Sequence, residues 1–120
     1  MNTQELNELI GCLVSNRPKL KKVCDTWGNQ HMLTIAMEEN AEMIQAISKI
    51  KRHEPNSDNS SHLNEEVADA LICICELFVM GYLDVHEIAE IIERKVERSM
   101  RRTQDYIYEL QEEASCNGEF

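Results

Sequence analysis

The stretch MLTIAMEENAEMIQAISKI, residues 32–50, combines an apolar helical stripe with a pair of acids. Its apolar side chains recur every three or four residues, and this period predicts an α-helix over about residues 28–52. The stripe consists of Met32, Ile35, Ala36, Met43, Ile44, Ile47 and Ile50. Glu39 and Glu42 are three residues apart, so both project from one face of the helix and can share a cation.

A first helix is predicted ahead of this stretch, over about residues 3–14. Arg17-Pro18 should interrupt it, because proline lacks a backbone donor and clashes with the preceding turn. A short basic helical piece follows the interruption. We therefore interpret residues 1–27 as an N-terminal arm.

Two more helices are predicted beyond the quoted stretch. The polar residues 54–61 include a proline and predict a mobile connection, or a lid. A third helix should begin after Ser61 and end at Gly81, a residue that suits a left-handed cap. A fourth should start after a capping residue, Asp84, and run to residue 113, with a frayed tail over 114–120.

Four helices with short connections and no alternating β pattern predict an all-α fold, a four-helix antiparallel bundle formed by one domain over residues 1–120. On the third helix, Glu66 and Asp69 repeat the spacing of the first acidic pair. Two such pairs on consecutive antiparallel helices can surround one cavity with four carboxylates. This is the oxygen ligand set that Mg²⁺ prefers, with Mn²⁺ as a substitute.

Alternatives to a metal site remain open from the acids alone. Acids at this spacing are commonly solvated surface groups, although small or apolar residues flank both pairs here. The flanking residues are Ile35, Ala46, Ala70 and Cys73. A di-iron site would need Glu-x-x-His motifs, and no histidine in the sequence has a glutamate three residues before it. Glu38 and Glu65, each beside a pair, are candidates for an outer ligand or for the base that activates water.

Composition limits the class of partner. The formal net charge is −10, which argues against binding nucleic acid polymers or anionic membranes. The N-terminal residues MNTQELNELIG carry no basic leader segment, and no apolar run approaches the roughly 20 residues of a membrane span, so we expect a cytoplasmic protein. The five cysteines lack CxxC spacing, and we interpret them as small core residues.

Several other residues are candidates for substrate contact. Lys49 and His31 fall on the stripe of the first acidic pair, and Lys95, Ser99 and Arg102 share a face of the fourth helix. On pattern alone, ordinary pairing with nearby glutamates is the favoured interpretation of those cations. Trp27, the only tryptophan, could stack on a nucleobase, but a role in the core is favoured.

The motif Glu39-Asn40-Ala41-Glu42, followed by Ala46, Lys49, a polar gap and the run 65–72 (EEVADALI), resembles the MazG-like, all-alpha NTP pyrophosphatase superfamily. The likeness covers about residues 27–102. It implies Mg²⁺ held at the positions of Glu39, Glu42, Glu66 and Asp69, with Glu38 at a neighbouring position that is acidic in only some relatives. It also implies that water attacks the α-phosphorus of a nucleoside triphosphate and that pyrophosphate leaves.

The resemblance has further implications for substrate and assembly. Lys95 and Arg102 stand where relatives contact phosphate, and Trp27 and His31 stand where relatives line the base pocket. Ser99 replaces an asparagine found in several relatives specific for deoxyribonucleotides, so the choice of sugar is open. Relatives are homodimers or homotetramers, and a chain this small would gain core by such pairing.

Two other functions remain compatible with the sequence. Phosphoribosyl-ATP pyrophosphatase belongs to the same superfamily and shares the acidic motif. A non-catalytic helical module that binds nucleotide or metal, or whose acids only keep it in solution, is the alternative from another class.

Overall fold

The computed structural model describes residues 1–53 and 55–118, and every regular element among them is an α-helix. The helices are α1 (Thr3–Trp27), α2 (Asn29–His53), α3 (Ser57–Val79) and α4 (Val85–Asn117). The all-α, four-helix prediction is confirmed. Residues 1–83 form one compact unit, and the residues from Asp84 onward form a second.

Helix α1 begins with a reciprocal capping box. The side chain of Asn2 accepts a hydrogen bond from the Glu5 backbone N–H at 2.8 Å, and the Glu5 carboxylate accepts from the Asn2 N–H at 2.7 Å. The helix then continues through Pro18, so the predicted interruption at Arg17-Pro18 is wrong. Packing of α1 against α3, which buries Cys24, offsets the one backbone hydrogen bond that proline removes.

A single residue, Gly28, reverses the chain between α1 and α2. Its N–H donates to the Cys24 carbonyl at 2.9 Å, and its own carbonyl accepts from the Met32 N–H at 3.1 Å. Its φ of 86° lies in the left-handed region, where a side chain would be strained. Gly28 therefore caps both helices and places α2 beside α1.

The connection between α2 and α3 is shorter than the sequence predicted. Helix α3 begins at Ser57, so residues 57–61 are helical and not part of a loop; Glu54 lies outside the described residues. Asn56 caps the helix by accepting from the Asn59 N–H at 2.9 Å, and the Asn59 side chain accepts from the Asn56 N–H at 2.7 Å. The tight reversal makes α2 and α3 an antiparallel pair.

The end of α3 and the start of α4 follow the prediction closely. Gly81 has a φ of 85°, and its N–H donates to the Phe78 carbonyl at 3.0 Å. The Asp84 side chain accepts from the Glu87 N–H at 2.9 Å and caps α4. Helix α4 extends to Asn117, beyond its predicted end at residue 113, while residues 119–120 of the predicted tail lie outside the described part of the chain.

Helix α4 forms the second unit by itself. Its apolar side chains recur at helical spacing, and none of its 33 residues is buried. The more exposed of these include Ile92, Val96, Met100 and Ile107. Among the described residues, no helix has both the length and the apolarity needed to cross a membrane.

Small residues fill the contact between α2 and α3. Ala46 is fully buried at 0% exposure, and Ala36, Ala70 and Cys73 are also buried. Side chains of this size let two helices approach closely enough for their polar groups to meet. The acids of the two helices are therefore held at short range by a core of small residues.

Replacing Ala46 by Leu should destabilise the protein by about 1–3 kcal/mol, because the added carbons have no free volume to occupy. Urea unfolding followed by circular dichroism measures the change. Ala41→Leu on the exposed side of α2 is the matched control and should stay within about 0.5 kcal/mol of the wild type. An unchanged midpoint for Ala46→Leu would mean that the α2–α3 contact is loosely packed.

Candidate metal centre

The two acidic pairs meet across the antiparallel contact of α2 and α3. Helix α2 ends at His53 and α3 begins at Ser57, and the two helices are antiparallel, so Glu42 lies opposite Glu66 and Glu39 lies opposite Asp69. One carboxylate oxygen from each of Glu39, Glu42 and Glu66 lies within 4.8 Å of the others. The structure thus brings together the acids that the sequence predicted to share a cavity.

Asp69 joins this group through Glu39. It does not belong to the set of three converging oxygens, but its carboxylate can accept a hydrogen bond from a protonated Glu39. Its negative charge adds to that of Glu42 in opposing ionisation of Glu39. We call Glu39, Glu42, Glu66 and Asp69 the acidic cluster.

The acidic cluster is partly withdrawn from solvent. Glu66 is buried, Glu39 and Asp69 are half-buried, and Glu42 is exposed. No donor among the described residues reaches the buried Oε2 atoms of Glu39 and Glu66. A buried carboxylate oxygen without a donor is unfavourable, and a bound cation would supply the missing partner.

Burial and like charge raise two pKa values in the cluster. Burial, followed by the charges of Asp69 and Glu42, raises the pKa of Glu39 to about 7. Burial and the charge of Glu42 also raise the pKa of Glu66, while the nearby His62 lowers it. The imidazole Nε2 of His62 lies 3.8 Å from Glu66 Oε1. The cluster is therefore short of positive charge at neutral pH.

A hard divalent cation fits this arrangement. The donors are all carboxylate oxygens, and their spacing allows one ion to contact three of them. Cys73 lies on the same face of α3, but burial and the charge of Glu76 raise its pKa to about 11, so its thiol stays protonated at neutral pH. The ligand set favours Mg²⁺ or Mn²⁺ over softer metals.

Glu38 and Glu65 flank the acidic cluster without entering it. Both side chains are exposed, Glu38 next to Glu39 on α2 and Glu65 next to Glu66 on α3. Their accessibility leaves both free to meet a water molecule at the edge of the site. Neither forms an ion pair with a described residue.

Trp27 lies on the surface, contrary to the favoured interpretation of it as a core residue. It is 62% exposed, and its ring stacks on His31 with a centroid separation of 5.0 Å and an interplanar angle of 23°. Trp27 is the last residue of α1 and His31 is in the first turn of α2, so the reversal at Gly28 brings the rings together. The two predicted base-contacting residues form one exposed aromatic pair.

Glu76 is a further acid of α3, but it is buried and does not belong to the acidic cluster. The thiol of Cys24 on α1 donates to Glu76 Oε2, with 3.9 Å between sulfur and oxygen. Burial raises the pKa of both groups. This contact ties α1 to α3.

A cavity of about 420 Å³ lies at the α2–α3 reversal. Lys49, Arg52 and His53 line it from α2, and Asp58 and His62 line it from α3. The sequence analysis identified only Lys49 as a substrate residue. A signal for the rest was present in the four basic or histidine side chains within residues 49–53 of an acidic chain.

Lys95, Ser99 and Arg102 all lie on α4, where their side chains are exposed. Their separations of four and three residues place them on one face of that helix, as predicted.

The chain matches a known protein family. A family model described as the MazG nucleotide pyrophosphohydrolase domain matches residues 28–113, a range that includes the acidic cluster. No curated protein and no solved structure matches the chain.

Proposed function

The chain belongs to the MazG nucleotide pyrophosphohydrolase family, and on that basis we propose that it is a Mg²⁺-dependent nucleoside triphosphate pyrophosphohydrolase. The products are a nucleoside or deoxynucleoside monophosphate and pyrophosphate. The observation that carries the proposal is the convergence of Glu39, Glu42 and Glu66, with two buried oxygens that lack a donor. Such a group needs a cation, and a triphosphate substrate needs one too.

The proposed reaction breaks the bond between the α-phosphorus and the oxygen that bridges to the β-phosphorus. A water oxygen forms the new bond to the α-phosphorus, and the electron pair of the broken bond leaves with pyrophosphate. The proton released by the water goes to a base, for which exposed Glu38 is our candidate. Bound Mg²⁺, or Mn²⁺ in its place, supplies the positive charge that offsets the triphosphate.

The other predicted residues are proposed to bind substrate. Lys95 and Arg102 are candidates for phosphate contact, and Ser99 for a role in sugar selection, through the family resemblance. The stacked rings of Trp27 and His31 offer a flat exposed surface suited to a nucleobase.

We also propose a homodimer or homotetramer in the cytoplasm, where nucleoside triphosphates are made and used. The exposed apolar side chains of α4, among them Val96 and Met100, support an assembled state. We further propose that residues 28–113 contain the catalytic helices and that residues 1–27 form an N-terminal arm.

The experiment that tests this function is pyrophosphate release from a panel of ribo- and deoxyribonucleoside triphosphates, with Mg²⁺ and with EDTA. We expect release that requires Mg²⁺ and a preference among the nucleotides. Phosphoribosyl-ATP is included in the panel because the pyrophosphatase that acts on it shares the acidic motif. If pyrophosphate is released from phosphoribosyl-ATP alone, that compound replaces nucleoside triphosphates as the proposed substrate. If the folded protein releases pyrophosphate from none of the compounds, the non-catalytic module is favoured.

A further inference from the structure

The cavity at the α2–α3 reversal concentrates positive charge in an otherwise acidic protein. Lys49 and Arg52, one turn apart on α2, line it together with His53 and His62. Asp58 is its only acid among the described lining residues. No described carboxylate pairs with Lys49 or Arg52 within ion-pair distance. As far as the described residues go, both cations are therefore available to an anion.

The positively charged groups that line the cavity are side chains of α2. The capping box of Asn56 and Asn59 already occupies two of the backbone donors at the start of α3. An anion in the cavity would meet the ammonium of Lys49 and the guanidinium of Arg52. Guanidinium groups bind phosphate oxygens through two parallel hydrogen bonds.

The cavity adjoins the acidic cluster through His62. This residue lines the cavity, and its imidazole Nε2 lies 3.8 Å from Oε1 of Glu66 in the cluster. On α2, Lys49 lies seven residues beyond Glu42, or about 10 Å along the helix axis. An extended triphosphate and a long lysine side chain together can cover this separation.

We propose that this cavity binds the β- and γ-phosphates of the substrate, and hence the pyrophosphate product, while the acidic cluster serves the α-phosphate. The assignment rests on the proposed function for the identity of its substrate. It gives Lys49 and Arg52 a defined role: they hold the leaving group and select triphosphates over shorter nucleotides. Asp58 limits the positive charge of the cavity, so the product can dissociate.

The test is direct binding of pyrophosphate and of orthophosphate in Mg²⁺ buffer, measured by isothermal titration calorimetry. The variants are Lys49→Gln with Arg52→Gln, and Lys49→Gln alone as a milder second variant. Lys51→Gln is the matched control, because Lys51 is exposed on the same helix and does not line the cavity. Binding of Mn²⁺ in the absence of phosphate reports separately on the acidic cluster.

We expect the double variant to bind pyrophosphate at least about tenfold more weakly, with Mn²⁺ binding unchanged and Lys51→Gln like the wild type. Orthophosphate should bind more weakly than pyrophosphate. The proposal is overturned if the wild type does not bind pyrophosphate, or if the double variant binds it within twofold of the wild type. An equal loss in Lys51→Gln would also overturn it. Pyrophosphate binding does not require hydrolysis, so a failure of the proposed hydrolysis would appear in the nucleotide panel and not in this binding experiment.

Discussion

Glu39→Gln is expected to lower kcat/KM for the preferred nucleoside triphosphate by at least about a thousandfold. Glu39 contributes one of the three converging oxygens and interacts with Asp69, and in the proposed mechanism its charge would help to hold a divalent cation. Glutamine keeps the shape of the side chain but removes that charge. Steady-state pyrophosphate release measures the loss, and Asp69→Asn should follow the same direction.

The same substitution should leave the protein folded and should raise its melting temperature in EDTA. Like charges from Asp69 and Glu42 oppose ionisation of Glu39, so a neutral side chain relieves repulsion when no metal is present. Loss of activity with gain of metal-free stability is the pattern of a site built for a ligand. Substitution of a residue that only supported the fold would lower both the activity and the stability of the protein.

Glu8→Gln is the matched control for this prediction. Glu8 is an exposed acid of α1 outside the acidic cluster, and its substitution makes the same change of charge. It should retain wild-type activity and wild-type stability. Activity of Glu39→Gln above about a tenth of the wild type would remove Glu39 from the proposed mechanism.

Helix geometry explains why the acidic cluster was predictable from the sequence. Glu39 and Glu42 share a face because of their spacing, and Glu66 and Asp69 do so for the same reason. A connection too short for any topology but an antiparallel pair then places the two faces together. Small flanking residues such as Ala46 argued against a merely solvated face, and the structure buries Ala46, Ala70 and Cys73.

The features that the sequence analysis missed depend on tertiary packing or on an uncommon cap. Pro18 predicts a break, but the contact of α1 with α3 favours a continuous helix. Helix α3 starts earlier than expected because Asn59 completes the capping box of Asn56, a position where glutamate or glutamine is the usual signal. The exposure of Trp27 depends on the direction of the turn at Gly28, which no periodicity encodes.

The cavity at the α2–α3 reversal was missed for a related reason. Its basic residues are close in sequence, but whether they line a common space depends on where α3 begins. With a loop over residues 54–61, His62 would be at the start of the helix. With α3 beginning at Ser57, His62 is more than one turn inside it and connects the cavity to Glu66.

The metal-free protein is expected to lose stability as the pH rises from about 4.5 to about 7. The pKa of Glu39 is about 7 in the folded protein against 4.5 in the unfolded chain, so the folded state holds more protons between these values. The contribution of Glu39 to the free energy of unfolding is fully present below its unfolded pKa and is lost as the pH rises through its folded pKa. The raised pKa values of Glu66 and Glu76 act in the same direction.

Mg²⁺ should reverse this loss, and more strongly at pH 8 than at pH 5.5, because a protonated Glu39 must release its proton before it can bind a cation. Thermal unfolding in EDTA and in Mg²⁺ at a series of pH values measures both effects. At pH 8 we expect Mg²⁺ to raise the melting temperature by at least about 4 °C, the shift that about 1 kcal/mol produces in a domain of this size.

Glu39→Gln separates this effect from the general repulsion of a chain with net charge −10, which also grows with pH. The variant keeps the other acids, so its melting temperature in EDTA should fall less steeply with pH than that of the wild type. Its response to Mg²⁺ should be reduced at every pH. Parallel curves for the two proteins, or an equal Mg²⁺ effect at pH 5.5 and pH 8, would show that the proton and the cation do not compete at the acidic cluster. The proposed metal site would then have to be abandoned.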